Sequence, residues 1–458
     1  MNDKIEEYLA SNRDTHLSQL KDFLAIPSIS TQTEHKGDME KAAEWTAESL
    51  RQLGMDNVKV YETKGHPVVY GEWLKAEGKP TALIYGHYDV QPVDPVELWN
   101  SPPFSAEIRD EKLYARGASD DKGQTFMHFK ALEAFLETTG TLPLNFKFCI
   151  EGEEEMGSPN LPAFAEEHKD LLAADLIVVS DTGMIEKGKP AITYGLRGLC
   201  GLQIDLKGPS GDVHSGLYGG VIQNPIHALV KIVDSFHSED GHILVDGFYD
   251  DVLTVTEQEK EEFASLQFNE EEVKKELGVN ELYGEEGYSY LERTWTRPTL
   301  EVNGIYGGYQ GGGLKTVLPS EAHAKISCRL VPNQDPDKIV EQLKQHITKH
   351  LPAGVEVEMS RFDQGHPYLT PIDHPYVQAA GEAYEKVYDV KTSYIRSGGS
   401  IPIIATFKQL FNLPIVLMGF GLPNENFHAP NEHFHLENFD KGMRVLCHYW
   451  EDIAKMEL

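Results

Sequence analysis

Hydrophobic positions recur along the chain at two spacings, and the alternation between them predicts the elements. Ile5, Tyr8, Leu9, Leu17, Leu20, Phe23 and Leu24 fall at helical intervals and predict a helix over 3–24. Asn12 to Asp14 is a candidate interruption, and Pro27 ends the helix. Ala42, Ala43, Trp45, Leu50 and Leu53 predict a second helix from Asp38 to Gly54, and further helices are predicted over 124–139, closed by Gly140, and 161–167. Short β-rich runs stand between them at 58–61, 68–73, 81–85, 112–115, 145–150 and 176–179. Strands alternating with helices predict an α/β fold, a mainly parallel sheet flanked by helices. In such sheets, functional groups collect just beyond the carboxyl ends of the strands.

After about Tyr194 the texture changes. A strand over 199–207, a loop at 208–216, a helix opened by Asn224-Pro225, a strand over 322–330, a helix over 335–350 and a strand over 355–361 predict an α+β domain. Within it, 256–277 is strongly charged and helix-prone and reads as a solvated insertion, and 307–313 as a glycine-rich loop. From about Asp373 the α/β texture returns, with a helix over 376–388, a loop at 397–400, a strand over 414–419 and a helix over 438–455. The expected organisation is therefore a first domain, 1–195 and 371–458, with an α+β domain, 196–370, inserted into it.

A length of 458 residues with 40% hydrophobic content suits a globular protein of two or three cores. No apolar stretch approaches the roughly 20 residues that span a bilayer, so no membrane partner is expected. The acidic opening, Met1 to Glu7, has no apolar signal region, which points to a cytoplasmic protein. Lys and Arg number 41 against 73 Asp and Glu, a net charge of −32 that argues against nucleic acid as a partner. Most of these charges form a solvated surface. Cys149, Cys200, Cys328 and Cys447 are far apart, lie in apolar runs and form no Cys-x-x-Cys pair, so they are expected to be buried free thiols in a reducing compartment.

The candidate chemistry centres on the turn Arg116-Gly117-Ala118-Ser119-Asp120-Asp121-Lys122-Gly123, where a short, rigid Asp120 side chain suits a carboxylate that bridges two metal ions. His87 ends an apolar strand, with Asp89 placed to hold its other ring nitrogen. Glu151, Glu153, Glu154 and Glu155 follow another strand, and adjacent carboxylates there divide labour: Glu155 as ligand, Glu154 as general base. Asp181 follows a third strand, and His428 lies in a loop after 414–419. Each run has a plainer explanation in isolation: a structural histidine, a surface ion-pair cluster, a solvated acidic loop, a helix or turn cap. Together they form an N/O donor set suited to zinc, manganese or cobalt, without cysteine and with open positions, as in a catalytic site.

These motifs resemble one family, the dinuclear zinc dipeptidases typified by cytosolic non-specific dipeptidase and carnosinase, grouped with the aminoacylases and acetylornithine deacetylases. The resemblance runs through Gly86-His87-Tyr88-Asp89-Val90-Gln91-Pro92, the Asp120 turn, Glu154-Glu155-Met156-Gly157-Ser158, Ser180-Asp181, Asp212-Val213-His214-Ser215-Gly216 and His428-Ala429-Pro430-Asn431-Glu432. It implies one metal held by His87, Asp120 and Asp181, and another by Asp120, Glu155 and His428. It also implies a cis peptide after Asp120 and an inserted lid that makes a homodimer. In relatives the residue matching His214 reaches the substrate carbonyl from the neighbouring subunit, the residue matching Arg329 grips the substrate carboxylate, and those matching Thr316 and Ser400 add contacts. Tyr88 and Phe427 depart from the commoner residues and, standing beside ligands, are expected to narrow the pocket.

The expected function is metal-dependent hydrolysis of a dipeptide, with Glu154 as general base to a water shared by two divalent ions, zinc first among them. The alternatives are a deacylase of N-acyl amino acids and a non-catalytic metal-dependent binding protein. A di-metal phosphatase is disfavoured because no phosphate-binding loop is evident.

Overall fold

The predicted alternation of strand and helix is realised as a twisted mixed sheet. The computed structural model describes residues 2–266, 268–362, 364–398 and 401–456. Seven strands of this sheet are β1 (Asp56–Tyr61), β2 (Val68–Trp73), β3 (Thr81–His87), β4 (Asn145–Glu151), β5 (Leu176–Val179), β6 (Ala191–Leu196) and β7 (Ile415–Met418). They lie in the order β1-β2-β4-β3-β5-β7-β6. The centre, β4-β3-β5-β7, is parallel, and β1, β2 and β6 join antiparallel. The central strands are almost wholly buried. A parallel strand covered on both faces has no polar side to show, so it reads as an unbroken apolar run.

The longer helices of this part of the chain include α1 (Lys36–Gln52), α2 (Lys122–Thr139), α3 (Pro375–Tyr388) and α4 (Leu436–Ile453). α4 packs on α2 and α3 and buries Phe439, Tyr449 and Trp450 completely. α2 ends at Gly140, whose φ of 74° gives the left-handed cap that terminates the helix. The predicted first helix is two, Asp3–Ser11 and Arg13–Leu24. Asn12 divides them because its side-chain amide bonds back to the Tyr8 carbonyl, at 2.9 Å, in competition with the helix.

By internal packing the chain forms two units, Met1–Tyr194 with Thr370–Ile395 and Ile401–Leu458, and Gly195–Leu369 with Arg396–Ser400. The second is built on a four-stranded antiparallel sheet in the order Thr299–Gly307, Glu321–Leu330, Gly198–Lys207, Glu356–Arg361. Helices Pro225–Asp234 and Pro336–His350 cover one face, around Leu202, Ile204, Ile326, Leu229, Ile232 and Leu343.

Two features of this unit differ from expectation. Thr299–Gly307 is a strand where the sequence shows no clean alternation, because it is an edge strand with an irregularity between Val302 and Gly304. The charged segment 256–277 is not wholly solvated. It forms helices, as expected, Glu257–Ser265 and Glu270–Leu277, but the first buries Phe263 together with Glu259, which pairs with buried Arg396. Among the described residues no helix is long and apolar enough to cross a membrane.

Candidate metal centre

Parallel pairing brings the strand ends to one edge of the sheet. His87, the last residue of β3, stands opposite Glu151, the last of β4, and Tyr85 stands opposite Val179, the last of β5. His87 and Asp181, each two residues past that last pair, therefore emerge side by side, with His87 Nε2 3.8 Å from Asp181 Oδ2. This is register, fixed by the backbone ladder before any ligand is considered.

Asp120 reaches the same edge from the turn that leads into α2. Gly117 has φ +82°, and a Cβ on Gly123 would stand 2.0 Å from the Ala118 carbonyl oxygen, so the turn closes only with glycine there. The Asp120–Asp121 peptide is cis. Glu432 holds the turn. Its Oε1 accepts from the Ser119 and Asp120 N–H groups at 3.0 and 3.1 Å. Its Oε2 accepts from the Gly117 N–H at 3.0 Å and from Arg116 Nη1 at 2.7 Å. Burial pushes the Glu432 carboxyl up to about 7, against the pull of Arg116. Glu432→Gln leaves the buried Arg116 guanidinium without its counter-charge. The variant is expected to lose about 3–5 kcal/mol of stability in urea denaturation, and a loss under about 1 kcal/mol would mean that the ion pair does not hold the turn.

Asp120 presents one oxygen to each side. Oδ1 lies 3.3 Å from His87 Nε2, and Oδ2 lies 2.8 Å from His428 Nε2, which is also 3.2 Å from Glu155 Oε2. The result is two triads, His87–Asp120–Asp181 and Asp120–Glu155–His428, with the donor atoms of each within 4.8 Å of one another. Asp89 braces both. Its Oδ1 lies 3.3 Å from His87 Nδ1, and its carboxylate accepts from the Glu154 and Glu155 N–H groups at 3.2 and 3.1 Å. His87 Nδ1 is hydrogen-bonded to the Asp89 backbone carbonyl at 3.1 Å, so Nε2 is the nitrogen turned to the cluster.

The glutamates at the end of β4, Glu151, Glu153, Glu154 and Glu155, differ in their partners. Glu151 accepts from the Tyr85 and Ser158 hydroxyls. Glu153 takes the His66 N–H and the Asn160 amide. Glu155 takes the Gln91 amide at 2.8 Å. The Glu154 carboxylate has no hydrogen bond or ion pair among the described residues. Burial pushes it up to about 7, with Glu155, Asp120 and Asp89 adding to the rise against the pull of His87.

Burial also drives Asp181 well up, helped by Asp120. Asp120 resists the same burial because His428 and His87 hold it below the usual carboxylate range. His428 in turn is pushed up to about 10 by its bonds to Asp120 and Glu155. Crowded carboxylates that rely on imidazolium for balance call for positive charge. These residues fit a pair of divalent cations: His87 Nε2 is buried and makes no hydrogen bond although two carboxylate oxygens face it, and all the donors are nitrogen or oxygen.

Of the other residues singled out in the sequence, His214, Thr316 and Arg329 belong to the second unit. His214, exposed, ends the short strand Val213–His214, which pairs with Val317–Leu318. The Thr316 carbonyl accepts from the Ser215 N–H at 3.1 Å, so His214 and Thr316 are neighbours. Arg329 sits in Glu321–Leu330 with its N–H on Thr299 Oγ1 at 3.3 Å. Ser400 lies outside the described residues. Tyr88 does not face the cluster. It is fully buried and its hydroxyl donates to the Pro67 carbonyl at 2.7 Å, so it does not narrow a pocket there. His435 bonds to buried Glu425, whose other oxygen accepts from Ser119 Oγ, a second clamp on the Asp120 turn. Glu425, like Glu432, carries no sequence signal beyond its place near His428.

Three comparisons bear on this arrangement. The model of Peptidase family M20/M25/M40 matches residues 83–452. The Cys-Gly metallodipeptidase dug1 of Schizosaccharomyces pombe is 31% identical, over 99% of this chain and 98% of its own. The human Beta-Ala-His dipeptidase is 31% identical, over 99% of this chain and 93% of its own. The crystal structure of the M20 family metallo-carboxypeptidase Sso-CP2 from Sulfolobus solfataricus matches with a TM-score of 0.82 at 36% identity, covering 96% of this chain and 99% of that one.

Proposed function

The chain belongs to Peptidase family M20/M25/M40, and from that premise we propose that it is a metallodipeptidase whose centre is the paired triad around Asp120. In this reading His87, Asp120 and Asp181 would hold one divalent ion, and Asp120, Glu155 and His428 the other. Zinc is the proposed ion, and the same donors admit manganese or cobalt. When bound, the pair supplies Lewis acidity and makes water a nucleophile near neutral pH. Glu154 accepts the proton of the attacking water and returns it to the leaving amine. Asp89 keeps the His87 ring and the Glu154–Glu155 backbone in place. His214 donates to the developing oxyanion, Arg329 grips the C-terminal carboxylate, and Thr316 and Ser400 add contacts. The observation that carries the reading is Asp120, with Oδ1 toward His87 and Oδ2 toward His428 at 3.3 and 2.8 Å, and an unpartnered Glu154 within electrostatic reach of it.

The test is a panel of Ala-Ala-type dipeptides, tripeptides and N-acetyl amino acids, run on chelated enzyme with zinc, manganese or cobalt restored in turn. Hydrolysis confined to dipeptides and dependent on added metal is expected. Similarity to a metallo-carboxypeptidase favours a second reading, release of C-terminal residues from longer peptides, which tripeptide cleavage at equal efficiency would support. A preference for N-acetyl amino acids would instead make the protein a deacylase.

We also propose a homodimer formed through the second unit. What supports it is the edge strand Thr299–Gly307, paired on one side only, with Val302, Ile305 and Tyr306 exposed. Such an edge is a template for a second chain unless it is covered. Sedimentation velocity is expected to return a dimer, and a monomer at micromolar concentration rules this out. Four buried free cysteines fit a cytoplasmic location, which cell fractionation checks.

A further inference from the structure

Residues 26–30 follow the helix Arg13–Leu24 and supply no donor to either triad, yet they are tied to three stretches that do. Ser28 makes the first tie. It is fully buried. Its Oγ donates to the Tyr88 carbonyl at 2.6 Å, and its own carbonyl accepts from the Val90 N–H at 2.9 Å. The residue between those two is Asp89, so Ser28 holds the backbone on both sides of it. A parallel bridge between Ile29 and Val90 continues the contact. The second tie is to the Asp120 turn. Lys122, completely buried, donates from Nζ to the Ile26 carbonyl at 2.7 Å and to the Phe23 carbonyl at 3.1 Å. Gly117 leaves room for this packing: a Cβ there would stand 2.6 Å from Val90 Cγ1 and 3.4 Å from Lys122 Cδ. The third tie runs through His66, whose Nε2 donates to the Ser30 carbonyl at 3.0 Å while its N–H donates to Glu153 Oε1 at 3.1 Å.

Ending a helix needs only Pro27. Buried polar groups that satisfy one another do more: they fix one arrangement, because any other leaves a donor or an acceptor unpaired away from water. We propose that Ser28 is a positioning residue of the metal centre. It fixes the backbone of Asp89, whose carbonyl accepts from His87 Nδ1 at 3.1 Å and whose carboxylate accepts from the Glu154 and Glu155 N–H groups. Ser28 thus sets where the His87 ring stands in one triad and where Glu155 stands in the other, without touching either. This rests on the reading of the paired triads as a centre for two divalent ions. A serine that only filled the core would give way to alanine with a loss of stability alone.

The test uses the full-length protein, stripped with a chelator and reloaded with cobalt(II), whose visible absorption reports the geometry of its ligands. The wild type is expected to take up two ions per chain. Ser28→Ala is expected to bind cobalt about tenfold more weakly, the lower end of the range for groups that support a ligand, and to show shifted visible bands. Its kcat on the best dipeptide is expected to fall about tenfold at a KM within about twofold of the wild type, since Ser28 acts on the centre and not on the substrate. Ser28→Thr keeps the hydroxyl and is expected to recover part of the spectrum and of kcat. A Ser28→Ala variant with wild-type bands, cobalt affinity and kcat overturns the proposal, whatever its melting temperature, and leaves the metal centre standing. A wild type that binds no cobalt overturns both. Should Ser28→Ala fail to fold, hydrogen exchange of the wild type decides. Cobalt loading is expected to slow exchange across 26–30 by at least about tenfold, together with 87–90, and unchanged exchange at 26–30 overturns the proposal.

Discussion

Glu154→Gln is expected to bind two metal ions per chain and to lose at least about 10³–10⁴-fold in kcat, the upper range for removing a general acid–base group. The amide has nearly the shape of the carboxylate but cannot take a proton. No ligand is lost, because the Glu154 side chain makes no bond that the centre needs, and its backbone N–H remains on Asp89, at 3.2 Å. Metal content by elemental analysis and turnover on the best dipeptide check the two halves separately. Normal turnover would refute the assignment, and loss of metal would make Glu154 a ligand instead. The pH profile carries the sign. Burial raises the Glu154 carboxyl from its ordinary value to about 7. The base is effective only when ionised, so kcat/KM falls as pH drops through its pKa. A nearby divalent cation favours the ionised form, so the acid limb of the loaded enzyme is expected below about 7.

Asp120→Ala is expected to lose both ions and all measurable activity. A group that only supports a ligand is worth roughly 10–100-fold in metal affinity. Asp120 stands in both triads, so its removal acts on two sites at once. Asp120→Asn is the informative companion, since it keeps one acceptor oxygen and loses the charge. It is expected to retain at most one ion, whereas Asp181→Ala touches one triad only. Two ions bound tightly to Asp120→Ala would end the bridging assignment.

Much of the first unit was legible in the sequence. The apolar runs at 81–85, 145–150 and 176–179 are strands, and the polar residues that follow them stand at one sheet edge because parallel pairing puts all carboxyl ends on the same side. The edge strand Thr299–Gly307 was not legible, because a strand with one bare flank and an irregular register has no alternation to read. The same holds for Glu259, whose place in a charged run conceals its burial against Arg396. Tyr88 shows the limit at the site itself: adjacency to His87 in sequence says nothing about direction, and successive strand-end side chains point to opposite faces.

By itself the sequence determined which side chains of ligand type end strands, and in what order, since strand periodicity and turn chemistry are local. Only the tertiary structure decided that Glu432 would clamp the Asp120 turn from 313 positions away, that the two oxygens of Asp120 would face different histidines, and that Glu154 alone of its acidic run would have no side-chain partner among the described residues. Those outcomes depend on backbone register and on hydrogen bonds between distant segments, and no local pattern encodes where a carboxylate will point once the chain has closed around it.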